Sequence, residues 1–84
     1  MLNIEQLETL RSRRPEPGHI NRLSIAIELL GVTTSKAAED MGFRQAQLSD
    51  MKRKGSPRMS TVQRITRYFG CLAEDIFPDE HVMS

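Results

Sequence analysis

The 84-residue chain has a formal net charge of +1 and a hydrophobic content of 38%, which suits one small domain and excludes a second core. It has one cysteine and no Cys/His cluster with metal-ligand spacing, so an internal disulfide and a zinc-type site are excluded. It also has neither a long apolar run nor the apolar segment of a signal peptide. We therefore expect a cytoplasmic domain that needs no metal or cofactor and has no contact with a membrane.

The first predicted element is an amphipathic helix over Asn3 to Arg14, with Ile4, Leu7 and Leu10 on one face. The Pro-Glu-Pro-Gly sequence that follows ends this helix. We expect its narrow apolar face to pack on its own domain, although the face could instead meet its copy in a dimer. A third possibility is that the arginines at the end of the helix form a basic arm along DNA.

The second predicted helix begins at Asn21, whose residue type suits an N-cap, and stops at Gly31. Leu23, Ile27 and Leu30 fall on one of its faces. This spacing predicts the first core helix of a bundle.

Two short helices, Thr34 to Met41 and Gln45 to Arg53, are predicted on either side of Gly42. A glycine suits this turn because it adopts a positive φ with little steric penalty. The apolar residues fall on one face of each helix: Ala37, Ala38 and Met41 on the first, and Leu48 and Met51 on the second. This pattern is typical of a helix-turn-helix, whose second helix enters a groove of DNA.

A further helix is predicted to begin at Ser60 as its N-cap and to end at Gly70. Its apolar residues are Val62, Ile65, Tyr68 and Phe69. Cys71 then falls on an apolar position, so a buried core thiol is favoured over a reactive one.

Positive charge is concentrated in the middle of the chain, although the total is close to zero. From Arg44 to Arg67 the only acid is Asp50, whereas the chain after Arg67 has acids and no lysine or arginine. Such a basic segment is the electrostatic footprint of a phosphate-binding surface. The alternative is that these basic side chains simply face solvent.

Ala37-Ala38, Gly42, Leu48 and Met51 occupy signature positions of the helix-turn-helix in Cro-like and phage-repressor-like (XRE-type) transcriptional regulators. The sequence resembles this family from about residue 20 to residue 77. The resemblance implies an all-α fold, a compact bundle of about five short helices, with a lambda-repressor-like DNA-binding domain over residues 20–77. Residues 1–19 would add an N-terminal helix and a hinge, and residues 78–84 a polar tail.

The resemblance also implies which residues of the second helix meet base edges: Gln45, Ala46, Ser49 and Asp50. Gln45 can bond adenine N6 and N7 in a bidentate manner, and the methyl group of Ala46 can contact a thymine methyl. Asp50 could accept from cytosine N4, or it could pair with Arg53 or Lys54 in its own helix.

Phosphate contacts are expected from residues that flank these positions or start the preceding helix: Thr33, Thr34, Arg44, Gln47, Arg53, Lys54, Ser56 and Arg58. Either threonine could instead be a helix cap with no ligand. Arg58 matches an arginine that lies over the minor groove in some phage repressors. The chain departs from the family at Lys54-Gly55, where an Asn-Gly pair and a loop one residue longer are usual.

We therefore expect sequence-specific binding of double-stranded DNA by a homodimeric repressor of phage, plasmid or antitoxin type, which occupies a pseudo-palindromic operator. The alternative is a protein-interaction module, an antitoxin or adaptor that binds a partner such as a toxin and has weak or no specific DNA binding. An enzyme is not expected, because no serine or cysteine has a base at motif spacing and no glycine-rich phosphate loop is present.

Overall fold

Six helices follow one another in the computed structural model, which describes residues 1–55 and 58–77. They are α1 (Ile4–Ser12), α2 (Leu23–Leu30), α3 (Thr34–Met41), α4 (Gln45–Lys54), α5 (Met59–Phe69) and α6 (Ala73–Ile76). The described ranges contain no strand, so the expected all-α class is confirmed. The tail expected over residues 78–84 lies outside the described residues.

The apolar faces that the sequence predicts form one core. The five predicted apolar residues of α3 and α4 are all buried: Ala37, Ala38, Met41, Leu48 and Met51. In α2 two residues differ from the prediction. Ile25 is also buried, and Leu30 is only partly covered. Helix α2 contacts α1 as well as α3 and α4.

The predicted apolar face of α1 is correct at Leu10 and wrong at Ile4, which is 75% exposed. A capping box between Asn3 and Gln6 starts the helix at Ile4, and this register turns Ile4 toward solvent. Leu2, just before the helix, takes the buried place, and its amide donates to the carbonyl oxygen of Phe69 at 2.9 Å. The helix packs against α2 and α6, so the expectation that it packs on its own domain is confirmed.

Polar bonds fix α1 to the rest of the bundle. The Arg11 guanidinium donates to both carboxylate oxygens of Asp75, at 2.9 and 3.2 Å. Gln6 Nε2 donates to the carbonyl oxygen of Leu29 at 2.7 Å. Arg11 is therefore engaged within the fold, which leaves it unsuited to the basic arm considered above.

Two predicted N-caps are wrong by one or two residues. The N-cap of α2 is Arg22, because the side chain of Asn21 is buried and points to α4 as well as to the start of α2. The N-cap of α5 is Arg58, and Ser60 lies inside the first turn of that helix. The predicted C-terminal stops are correct, since Gly31 and Gly70 both adopt left-handed backbone conformations.

Candidate nucleic-acid interface

Helices α3 and α4 pack closely around a sharp turn. Gly42 ends α3 with φ of 80°, a conformation that side chains with a Cβ rarely adopt. The amide of Phe43 then donates back to the carbonyl oxygen of Ala38 at 2.8 Å. Ala37 and Ala38 are buried, and their small side chains let the two helices approach each other. This pair has the arrangement of a helix-turn-helix, and we call α4 the recognition helix.

The turn is also held from α5, which the sequence pattern did not indicate. The Arg64 guanidinium carbon lies 5.1 Å from the centre of the Phe43 ring, a cation–π arrangement. One Arg64 nitrogen donates to the carbonyl oxygen of Met41 at 3.5 Å. Arg64 therefore packs on the residues that precede the recognition helix.

A second link joins α5 to α3. The Tyr68 hydroxyl donates to Asp40 Oδ2 at 2.9 Å, and Lys36 Nζ lies 3.0 Å from Asp40 Oδ1. The hydrogen bonds from Lys36 and Tyr68 lower the pKa of Asp40. The carboxylate is therefore held in its charged form on the surface of α3.

The recognition helix has an inner apolar face and an outer polar face. Leu48 and Met51 are buried, as their spacing predicts. Gln45, Ala46 and Asp50 are exposed and Ser49 is partly exposed, so all four expected base-contacting residues are accessible on α4. In the described ranges, Asp50 forms no ion pair with Arg53 or Lys54.

Most of the expected phosphate-contacting residues are exposed. Those at the two ends of α4 and beyond are Arg44, Gln47, Arg53, Lys54 and Arg58. Thr33 is exposed and caps α3, since its hydroxyl oxygen accepts from the amide of Lys36 at 3.0 Å. The Thr34 hydroxyl accepts from Lys52 Nζ at 2.9 Å, so this side chain links two helices. Ser56 lies outside the described residues.

The charges of the recognition helix are arranged around its outer face. Arg44 precedes the helix, and Lys52, Arg53 and Lys54 form its last turn. Three cations at a helix C-terminus also interact favourably with the helix dipole, so part of their effect is on the helix itself. Between these ends the outer face carries uncharged side chains, among them Ala46, and the carboxylate of Asp50. The outer face is therefore less basic than the two ends of the helix.

Cys71 is a half-buried thiol that packs against the core. Burial chiefly, with a contribution from the charge of Asp75, raises the pKa of the thiol to about 12. The thiolate is the reactive form, so this cysteine is suited to packing rather than to chemistry, as the sequence predicts. Over residues 1–55 and 58–77, no group of His, Cys, Asp and Glu residues could hold a metal ion. No helix in the same part of the chain is long and apolar enough to cross a membrane.

Comparison with protein-family models matches residues 22–80 to the Cro/C1-type HTH DNA-binding domain. The matched segment covers more than half of the chain and includes α2 to α6. It leaves out α1 and residues 13–21, which agrees with an N-terminal addition to the domain. Neither the curated proteins nor the solved structures contain a significant match.

Proposed function

The chain belongs to the Cro/C1-type helix-turn-helix DNA-binding family, and from this premise we propose that it is a homodimeric repressor that acts by occupying a pseudo-palindromic operator. The family is one of DNA-binding regulatory domains and not of enzymes. DNA binding and regulation of transcription follow from this membership. Beyond this membership, we propose the DNA target, the oligomeric state, the direction of regulation and the residues that contact DNA.

The observation that carries the proposal is the accessible outer face of the recognition helix. Gln45 and Ala46 are exposed in its first turn, with Ser49 and Asp50 one turn later. In helix-turn-helix proteins the N-terminal residues of this helix contact base edges in the major groove. Gln45 would bond adenine N6 and N7, and Ala46 would contact a thymine methyl. Asp50 would accept from cytosine N4, since it has no competing ion pair among the described residues.

Phosphate contacts would place this face in the groove. Arg44 and Gln47 are exposed at the start of α4, and Arg53 and Lys54 at its end. Thr33 is exposed at the start of α3, where a helix N-terminus favours an anion. These contacts fix the orientation of the protein and strengthen binding to any sequence, so specificity depends on the face between them.

A dimer fits the size of the domain. Its longest Cα axis is 29 Å, and the half-sites of such operators lie about 34 Å apart, one turn of the double helix. Two copies can therefore lie side by side on one face of the DNA. Repression by occupancy then requires only that the dimer binds the operator tightly enough that the transcription machinery does not displace it. We place this activity in the cytoplasm.

Selection of bound duplexes from a random pool, at low and at near-physiological salt, tests the proposal. We expect a two-fold motif that is enriched at both salt concentrations, with half-sites about one helical turn apart. Binding that disappears at the higher salt and enriches no sequence would reflect phosphate attraction alone and would contradict specific recognition.

A protein-interaction role is the second candidate, and exposed apolar side chains near the N-terminus favour it. Met1 lies against Gly70, and Ile4 and Leu72, which are close in sequence to these two residues, are exposed. Exposed apolar residues that form one patch mark protein contact sites. A toxin or another protein would then be the partner. This role becomes the leading one if the duplex selection enriches nothing.

A further inference from the structure

The C-terminal end of the recognition helix is bonded to residues that precede the family match, which begins at residue 22. The amide of Ile20 donates to the carbonyl oxygen of Lys52 at 3.2 Å. Asn21 Nδ2 donates to the carbonyl oxygen of Met51 at 2.7 Å. Both acceptors lie in the last turn of α4, and the Met51 carbonyl oxygen also accepts from the amide of Gly55 at 2.9 Å.

The side chain of Asn21 is held at both of its ends. It is 1% exposed, and its Oδ1 accepts from the amide of Leu23 at 3.1 Å while its Nδ2 bonds α4. Rotation of this amide would leave a buried donor and a buried acceptor without partners, which is costly. The amide therefore joins the start of α2 to the end of α4 in one orientation.

A third bond holds the same end of the recognition helix. Lys52 Nζ donates to the Thr34 hydroxyl at 2.9 Å, which joins α4 to the first residue of α3. Burial of the ammonium group chiefly lowers the pKa of Lys52, while the charge of Glu16 opposes this effect. The end of α4 is thus bonded both to the segment that precedes α2 and to the first helix of the motif.

We propose that Ile20 and Asn21 form a tether that sets the position of the recognition helix against α2, with Asn21 as a positioning residue for base recognition. The inference rests on the proposed function, because it concerns the same outer face of α4. The helix has ten residues, so it is about 15 Å long. Gln45 lies about 10 Å along the helix from the tethered carbonyl groups of Met51 and Lys52, so a tilt of about 5° there would move it by about 0.9 Å, more than the roughly 0.5 Å that a productive site tolerates.

The variant Asn21→Ala removes the tether bond, and Gln6→Ala is the matched control. Gln6 Nε2 donates to the carbonyl oxygen of Leu29 at 2.7 Å, so the control loses an amide bond of the same kind and length. Its acceptor lies in the last turn of α2 and not in the recognition helix. Affinity is measured at a temperature where every protein is folded, with the selected operator and with unrelated DNA.

We expect Asn21→Ala to lose about tenfold in affinity for the operator, with its affinity for unrelated DNA within about twofold of the unsubstituted protein. We expect the backbone amides of α4 to exchange hydrogen with solvent faster in this variant. We expect the control Gln6→Ala to keep its operator affinity within about twofold of the unsubstituted protein. Equal losses in both variants, or unchanged operator affinity in Asn21→Ala, would overturn the inference. If the alanine variant does not fold, Asn21→Ser replaces it, since the serine hydroxyl is a neutral acceptor for the Leu23 amide and lacks the amide group that donates to Met51.

Hydrogen exchange separates a failure of the tether from a failure of the proposed function. If the unsubstituted protein prefers no duplex, the proposed function is wrong, and exchange at the α4 amides still decides whether the tether exists. Exchange that is faster in Asn21→Ala than in Gln6→Ala supports the tether. Exchange that is the same in both overturns it.

Discussion

Asp75 accepts hydrogen bonds from Arg11 and from the amide of Leu72, although it is only 5% exposed. Burial alone would raise the pKa of its carboxyl group. The hydrogen bonds from Arg11 and Leu72, with the charges of Arg11 and Arg22, outweigh burial and hold the pKa below its usual range. A carboxyl group with a lowered pKa stabilises the fold above its unfolded pKa, and this contribution is lost as the pH falls through the folded value.

We expect Asp75→Asn to lower the free energy of unfolding by about 1–2 kcal/mol at pH 7, because the Arg11 bond loses its charged acceptor. The difference from the unsubstituted protein should begin to narrow below about pH 4, the pKa of the carboxyl group in the unfolded chain, and should narrow further as the pH falls through the lower folded value. Urea unfolding between pH 3 and pH 7 measures both effects. The control is Glu8→Gln, which removes an exposed charge from α1 and should change stability by less than about 0.5 kcal/mol. A difference that is independent of pH would contradict the role of the charged carboxylate.

At single residues, the sequence predicts what depends on helical spacing and misses what depends on distant partners. The 100° step between residues places Leu48 inside and Ala46 and Asp50 outside, because this step needs no tertiary information. The amide of Asn21 bonds a residue 30 positions away, and Arg64 bonds one 23 positions away. No local pattern indicates such partners, so Asn21 resembled an ordinary N-cap.

Among the helices, α1 lies outside the family match but belongs to the core. Leu10 is fully buried, and the Leu2 amide bonds the end of α5. The helix therefore stabilises the domain in addition to extending it.

We expect Leu10→Ala to lower the free energy of unfolding by about 2–5 kcal/mol, because it removes buried methyl groups and leaves a cavity. The control on the same helix is Ile4→Ala, which should cost less than about 0.5 kcal/mol, because Ile4 is 75% exposed. Chemical unfolding of both variants gives the comparison. Similar losses, or a large loss in Ile4→Ala alone, would contradict this register of α1.

Helix ends were easier to predict than helix starts. The glycines at residues 31, 42 and 70 all adopt the left-handed conformation that ends a helix, and few other residues do so without strain. Many polar residues can start a helix, so tertiary contacts choose among them. Asn21 and Ser60 were therefore predicted as caps one or two residues away from the observed ones.

For the whole molecule, a net charge of +1 cannot by itself supply strong attraction to DNA, so binding depends on where the charges lie. Basic side chains at both ends of the recognition helix flank the outer face that we propose reads bases. The family and the architecture could be predicted from the sequence, since the helix-turn-helix pattern is local. The operator and the dimer surface could not, because both depend on a second molecule.

We propose that the outer face of the recognition helix reads bases, and the experiment for this is to measure binding of Gln45→Ala to single-base variants of the selected operator. The unsubstituted protein should discriminate by about 1–3 kcal/mol against each wrong base pair at the contacted position. We expect Gln45→Ala to lose this discrimination at one A·T pair in each half-site, while it keeps the preference at every other position. Its salt dependence should be unchanged, since Gln45 neutralises no phosphate. Full discrimination by Gln45→Ala at every position of the operator would contradict the claim.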